Sequence, residues 1–390
     1  MTVSVWQDRS GRQHLECDVV VVGAGVVGSY LALRLSKNGL RVVVLEARFP
    51  AAGATGRNAG MALAGLGEYY HMAIARYGRK TARAAWERSL QNGRRTRELH
   101  EELRLPYDAC GSLLLALDEA EAGQVWAAHE LMKEDGLPVI LHASDPLDRG
   151  FAAALEQPQD IGINPVAFTE GMLAASDAKL LQNCEVYALE PENDGVCVRS
   201  RLATVHAAHA MLATNAYSPL LHPSFSGHVL PTRAQVLLGA PSPPVLDTLC
   251  YANYGYEYFR QMSDGRILMG GWRKHFADVE IGYADETTEG VQKGLEGFLR
   301  ERFPETSPEV EMRWSGVMAF TPDGLPLVGT LDGLPRVGYA VGFNGHGLGL
   351  GIATADELID TMLHGAPPGL FSAGRETLKR LGTNSPALTH

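Results

Sequence analysis

The sequence predicts an α/β protein, α+β overall. A Rossmann-like domain, discontinuous along the chain, receives an inserted second domain built on a mixed, largely antiparallel sheet. Three observations carry that expectation. Asp18 to Glu46 (DVVVVGAGVVGSYLALRLSKNGLRVVVLE) reads as a buried strand, a glycine turn, a helix and a second buried strand. A strand, glycine turn and helix recur near the C-terminus, from Val337 to Leu363. Between them the rhythm changes to charged helices and aromatic strand pairs.

Val19 to Val22 is a continuous β-branched run, as expected of a parallel strand covered on both faces. Gly23, Gly25 and Gly28 then supply G-x-G-x-x-G. The first glycine permits the tight turn, the second lets backbone approach a pyrophosphate, and the third lets the helix pack closely on its strand. The helix, expected over 26–38, begins with no side chain in the way of its free N–H groups, so its positive dipole end suits phosphate. Val42 to Leu45 is the second strand, and Glu46 ends it. A carboxylate there accepts hydrogen bonds from both hydroxyls of an adenosine ribose. Ala47 and Arg48 follow. An arginine near this place can hold the 2′-phosphate of NADP, but Glu46 would repel that phosphate, which leaves FAD or NAD.

The next run, ARFPAAGATGRNAGMALAGLG, has side chains too small to make a core. It either lets backbone come close to something flat or is a flexible loop. Thr55 and Asn58 are candidate helix caps or phosphate donors, and Arg57 a charge partner. His71 to Leu103 has apolar residues at helical spacing and reads as one long helix or two. Ser112–Leu117 is a strand, Asp118–Glu134 an amphipathic helix and Val139–Leu141 a strand, all in the second domain. Around 160 the parallel rhythm resumes, with Asn164 and Pro165 opening a helix. Short strands follow at Glu185–Ala188 and Val196–Val198. Ala207–Leu212 then runs into Ala213 and Thr214, small residues of the kind found where a sheet edge meets a cofactor.

Val229–Leu238 starts the second domain's return. Tyr251–Arg260 and Ile267–Gly271 are expected as antiparallel neighbours joined by the turn SDGR. Period two places Tyr256, Tyr258 and Arg260 on one face and Glu257, Phe259 and Gln261 on the other. One face walls a pocket, or the aromatic residues pack against a helix over 286–302. Finally, the glycine-rich turn Gly342–Gly351 opens a helix expected at Ile352–Leu363. Its clustered backbone N–H groups can stabilise a negative charge that appears during reaction. The elements divide the chain into a first domain (17–79, 151–217 and 311–366) and a second (80–150 and 218–310), with an N-terminal arm over 1–16 and a C-terminal tail over 367–390.

At 390 residues, 45% hydrophobic and 20% charged, the chain suits a globular protein of about two domains. The net charge of -11 and the lack of a long basic run give no footprint for nucleic acid. Five cysteines lie far apart, without C-x-x-C or clustered histidines, which argues against a metal site or a disulfide framework. No run approaches a membrane span, and residues 1–16 lack the apolar core of a signal peptide, so a cytoplasmic protein is expected.

G23-A-G-V-V-G28, the TGRNAGM run and TPDGLPLVG followed by GFNGHGLG resemble the D-amino acid oxidase superfamily of FAD-dependent amine and amino-acid oxidoreductases. Within it, GATGRNAG, EYFRQMSDGRILMGG and the arm bearing Trp6 are most similar to the γ-glutamylputrescine oxidases. The resemblance implies that the first domain binds FAD and that the second roofs the flavin. Gly23, Gly25 and Gly28 would cradle the pyrophosphate, and Glu46, with Ala47 and Arg48 beside it, would hold the ribose. Thr55, Gly56, Arg57, Asn58, Gly60 and Met61 would run along the pyrophosphate and flavin. Val186 would lie by the adenine, with Ala213 and Thr214 at the sheet's edge. Asn344, Gly345, His346, Gly347 and Leu348 would face the flavin's pyrimidine edge. Met61, Glu257, Tyr258, Phe259, Arg260 and Met318 are the candidate substrate contacts, and His346 the candidate catalytic residue.

Departures from the family sharpen the expectation. Gly316 stands where sarcosine oxidases attach flavin to cysteine, so FAD is expected to be non-covalent. Met318 stands near the carboxylate-binding arginine of glycine oxidases, and Leu268 and Gly349 stand where sarcosine oxidases carry lysines. The expected reaction is oxidation of a C–N bond in a γ-glutamylputrescine-like or other polyamine-type amine, by hydride transfer to flavin N5, with imine hydrolysis and reoxidation by O2 or another acceptor. Glu257 is the expected partner of a distal ammonium, and Arg260 of a carboxylate should its own face line the pocket. An amino-acid oxidase, a nicotinamide dehydrogenase and a non-catalytic FAD protein are the alternatives.

Overall fold

The computed structural model describes residues 12–307 and 309–381. The arm's Trp6 therefore lies outside the described residues. The fold is mixed α/β, with two eight-stranded sheets and a small three-stranded one.

In the first sheet, strand Gln13–Val22 pairs in parallel with Val42–Leu45 on one side and along its whole length with Ala203–Leu212 on the other. Gln13–Glu16, expected in the arm, is thus already strand. Its side chains are mostly exposed, so it carried no buried pattern to read. Lys179–Leu181 extends one edge in parallel and Leu334–Val341 the other, with Leu327–Leu331 antiparallel outside it. The hairpin Val186–Pro191 and Val196–Ser200 pairs with the first half of Ala203–Leu212. Helices Val26–Lys37, Pro165–Ala174 and Gly347–Leu363 pack together on one face. Asn164 caps the second of them, its side chain accepting from the Val166 and Ala167 amides at 3.1 Å.

The second sheet is antiparallel apart from the pairing of Leu249–Ala252 with Ser112–Ala116. Its order runs from Val310–Phe320 through Leu230–Gly239, Ile267–Gly271, Glu257–Gln261 and Leu249–Ala252 to Ser112–Ala116, Ala153–Gln157 and Ile140–His142. Ala153–Gln157, and Val310–Phe320 apart from its first residue, fall within the stretches assigned to the first domain from sequence, and both strands pair in the second sheet. Helix Glu289–Arg302 covers one face through Val291, Leu295 and Phe298. Residues 367–381, expected as part of a tail, are docked. Phe371 is fully buried, and Arg375 donates to the buried Asp323.

Two expected elements change in detail, and the choice between one helix and two over 71–103 is resolved. The stretch Tyr251–Arg260 is two strands, because Asn253 (φ 52), Tyr254 (φ 57) and Gly255 (φ 82) turn the chain left-handed between them. An asparagine and a glycine two apart are the turn formers inside that aromatic run. The 71–103 stretch splits into Tyr70–Tyr77 and Arg79–Leu103 at Gly78, φ 81. The last helix starts at Gly347, not Ile352, so part of the glycine run is helical.

Candidate cofactor and substrate site

The first glycine turn is crowded on its protein side and open in its amides. A Cβ on Gly28 would stand 1.9 Å from the Gly23 carbonyl oxygen, and one on Gly25 would meet Thr55 Oγ1 at 2.9 Å. The Ala213 amide donates to the Val22 carbonyl at 2.8 Å and sets the 213–214 corner beside the turn. The Val26 amide donates to Thr55 Oγ1, while those of Gly25, Val27 and Gly28 find no acceptor among the described residues. Glu46 is held by the amides of Ala24 and Arg48, each at 2.8 Å. These are two of the four or so hydrogen bonds a carboxylate can accept, so acceptor capacity remains. The amides of Asn183 and Cys184 bond the Arg48 and Glu46 carbonyls, which brings the strand beginning at Val186 to the same end of the sheet. Orphan helix N-terminal amides beside a fixed carboxylate fit a dinucleotide's phosphates and ribose.

The run after Ala47 is an ordered bracket, not a flexible loop. Asn58 donates to the Ala54 and Thr55 carbonyls and accepts from the Gly60 amide at 2.7 Å, closing the turn on itself. A Cβ on Gly56 would meet the Ala51 carbonyl at 2.4 Å. Arg57 donates to the Ser315 carbonyl at 2.8 Å and to Asp285 at 2.6 Å, and Trp314 Nε1 donates back to the Arg57 carbonyl. Met61–Ala62 pairs with Ile161–Gly162. Arg260 donates to the Gly60 carbonyl at 2.9 Å and is ion-paired with Asp108. Its guanidinium therefore holds the bracket, a role other than the substrate contact expected from sequence.

At the C-terminal turn the side chain of Asn344 is used internally. It accepts from the Thr321 amide and donates to the Gly342 carbonyl, both at 2.8 Å. His346 caps the helix by position, and its half-buried ring stacks on Tyr251 at 6.3 Å. Its Nδ1 is buried with no hydrogen-bond partner among the described residues, and burial holds the imidazole's pKa below its usual value. Gly347 and Leu348 form the first turn. Asn92, fully within the long helix Arg79–Leu103, donates to the Leu348 carbonyl at 2.7 Å and accepts from the Ile352 amide at 2.9 Å. It acts as a cap delivered from another helix, at the residue where the sequence places the helix start. Asn92 is the site residue sequence reasoning missed. Its signal is a polar residue within the buried stripe Ala85, Ser89, Asn92, Thr96, Leu99.

Packing decides the faces of Glu257–Gln261. Phe259 lies against Phe298 and Phe303 under the covering helix, at 5.5 and 5.4 Å. Glu257 shares that face by period two and is 0% exposed. Two expected substrate contacts are corrected here: Glu257 and Phe259 turn away from the bracket, because the sheet's apolar core lies on their side. Both Glu257 oxygens lack a hydrogen-bond partner among the described residues, and burial pushes its pKa up to about 7. The opposite face carries Tyr258, which clusters with Ala59, Met61, Leu63 and Leu268 and meets Tyr251 edge-on at 6.2 Å. Met318 sulfur would contact a Cβ on Gly345 at 3.4 Å, so strand Val310–Phe320 closes on the C-terminal turn. Gly316 has no room beside it, since a Cβ there would stand 2.9 Å from Arg57 Cβ. The result is an aromatic and apolar wall opposite the bracket, ending at His346.

Residues 18–361 match the family described as FAD dependent oxidoreductase, the D-amino acid oxidase type. Gamma-glutamylputrescine oxidoreductase of Escherichia coli is 25% identical over 358 residues, covering 86% of this chain and 81% of the relative. Glycine oxidase of Pseudomonas aeruginosa is 27% identical over 360 residues, covering 88% and 94%. The crystal structure of glycine oxidase from Geobacillus kaustophilus superposes with a TM-score of 0.78 at 22% identity, over 93% of this chain and 99% of that one. L-proline dehydrogenase from P. horikoshii gives a TM-score of 0.75 at 23% identity, over 91% and 95%. With the matched stretch spanning both glycine turns, the bracket and the aromatic wall, the chain belongs to the FAD-dependent oxidoreductases of the D-amino acid oxidase family, and FAD is its cofactor.

Proposed function

We propose that the protein oxidises a C–N bond of an amine of the monoacylated-diamine kind, such as a γ-glutamyl amine, rather than a small amino acid. The observation that carries this reading is the wall itself: Tyr251, Tyr258, Leu268 and Met318 line the approach to His346, and Arg57 and Arg260 are both committed to structural partners. A small amino acid reacting at the His346 end would leave its carboxylate among those apolar side chains, at a cost of several kcal/mol. The similarity to gamma-glutamylputrescine oxidoreductase supports the same substrate class.

FAD, when bound, takes up the two electrons and the α-hydrogen of the amine. The amides of Gly25, Val27 and Gly28, with Thr55, hold its phosphates, and Glu46 its ribose. The start of helix Gly347–Leu363, secured by Asn92, offers positive dipole to the charge that develops on the flavin. Burial lowers the His346 pKa and favours its neutral ring, which takes the proton an ammonium must lose before its carbon can be oxidised. The imine then leaves and hydrolyses, and O2 or another oxidant restores the enzyme. Among the described residues no helix is long and apolar enough to cross a membrane. The free cysteines fit a reducing, cytoplasmic setting.

Flavin absorbance under nitrogen tests the reading. A γ-glutamyl or other monoacylated diamine is expected to bleach the protein faster than glycine, sarcosine or a D-amino acid. The reverse order would sink it.

A further inference from the structure

Two rows of side chains leave the start of the last helix and meet at one residue. Along the first, His346 stacks on Tyr251, Tyr251 meets Tyr258, and Tyr258 lies in the field of Arg273. Along the second, Met318 lies beside Gly345, and Phe320, two residues on and so on the same face of its strand, has the Arg273 guanidinium 4.8 Å from its ring centre. The Tyr256 ring is 5.0 Å from the same guanidinium. Arg273 is thus joined to the His346 end of the wall by neighbouring side chains, through Phe320 and Met318 on one strand and beside Tyr256, just before another.

Aromatic rings occupy the faces of a guanidinium and leave its edges unsatisfied. Arg273 has five N–H donors. Among the described residues it makes no hydrogen bond and no ion pair, in contrast to Arg57 and Arg260 on the same side of the sheet. The titratable groups that face it are Tyr256 and Tyr258, both held neutral by burial. Glu257, next in sequence to both tyrosines, is on the other face. The position is also built with some strain. Trp272, immediately before it, sits at φ 62, and a Cβ on Gly271 would stand 2.0 Å from the Tyr256 carbonyl oxygen.

We infer that Arg273 binds a carboxylate on the substrate, at the end remote from the C–N bond that is oxidised. The inference rests on the reading of the site as amine-oxidising and narrows it. The anion at one end replaces the distal ammonium that the sequence pattern of Glu257 suggested, and the substrate class becomes an amine whose acyl chain ends in a carboxylate. A forked guanidinium selects a planar carboxylate that meets two of its N–H groups at once.

The test uses the FAD-loaded protein, with glutarate as an unreactive probe and a pair of amines, N-glutaryl- and N-butanoyl-1,4-diaminobutane. Glutarate binding is followed by calorimetry, and flavin bleaching under nitrogen compares the pair. Glutarate is expected to bind the wild type, to bind Arg273→Met about 10- to 100-fold more weakly, and to bind Arg273→Lys with intermediate affinity, because the charge is kept and the fork lost. The wild type's preference for the glutaryl over the butanoyl amine should collapse toward unity in Arg273→Met. If the methionine variant fails to retain FAD, the lysine variant must still weaken glutarate several-fold. No glutarate binding by the wild type, or equal binding by wild type and variants, overturns the assignment. Should neither amine bleach the wild type, the reading of the reaction falls, while the glutarate titration still judges Arg273.

Discussion

The two glycine-rich turns look alike in sequence and are used differently. At Gly23–Gly28 the missing side chains leave amides without acceptors, so the space serves a ligand. At Gly342–Gly351 much of the space serves the protein. A Cβ on Gly349 would stand 2.2 Å from the Leu63 carbonyl oxygen, one on Gly351 would approach Val27 at 3.2 Å, and Asn344 spends its side chain on Thr321 and Gly342. A glycine run that opens a helix is therefore not by itself a ligand loop. The difference lies at single glycines: a Cβ on Gly28 or Gly349 would meet the chain's own backbone, whereas one on Gly25 would meet only the Thr55 side chain.

That contrast can be broken most forcefully by adding a methyl group to each turn. Gly349 lies inside a helix, where alanine ordinarily gains about 1 kcal/mol. Here Gly349→Ala is expected to cost about 2–4 kcal/mol in urea unfolding of the FAD-free protein, since backbone must move. Gly25→Ala meets only a threonine hydroxyl, and should leave that stability within about 1 kcal/mol while weakening FAD at least tenfold by fluorescence titration. Equal stability losses in the two variants would erase the distinction.

A smaller effect probes how the second turn is held. Asn92→Ala leaves the Leu348 carbonyl and the Ile352 and Ala353 amides without their partner, and is expected to cost about 1–3 kcal/mol by the same unfolding measurement. An unchanged midpoint would mean that the last helix satisfies those groups unaided.

The pH dependence of stability sharpens the comparison of the two sheet faces. Glu257 has a pKa of about 7 in the folded state against a usual 4.5, so the folded protein binds its proton more tightly than the unfolded chain. Its contribution is fully present below about 4.5 and is lost as pH rises through about 7. Glu257→Gln, which cannot ionise, should flatten that part of the pH profile and be more stable than wild type at pH 8, by up to about 3 kcal/mol. Identical profiles for the two proteins would place Glu257 in water.

The parts legible in the sequence were those written in one continuous stretch. The strand, turn and helix of Asp18–Glu46 form as read, because each element's signal lies within one stretch of thirty residues, although their main packing partners, Ala203–Leu212 and helices Pro165–Ala174 and Gly347–Leu363, lie far along the chain. Period two correctly separated Tyr258 and Arg260 from Glu257 and Phe259. It could not say which set faces the bracket, because that depends on a covering helix thirty residues later. Asn92 and Arg273 were illegible for a related reason: each matters through groups more than forty residues away, in the last helix and in Phe320. Arg57 shows the converse, a residue well placed by motif whose charge is taken up by Asp285 and Ser315.

The bracket is short, yet it touches everything. Thr55 meets the first turn at Val26, Arg57 meets the second sheet at Ser315, and Gly60 meets it again through Arg260. A phosphate that settles on Thr55 and its neighbours therefore also limits the motion of the strands that carry the aromatic wall. A cofactor held on Thr55 and a substrate resting on that wall are then expected to be coupled in binding free energy, and by reciprocity a substrate bound there tightens FAD by the same factor.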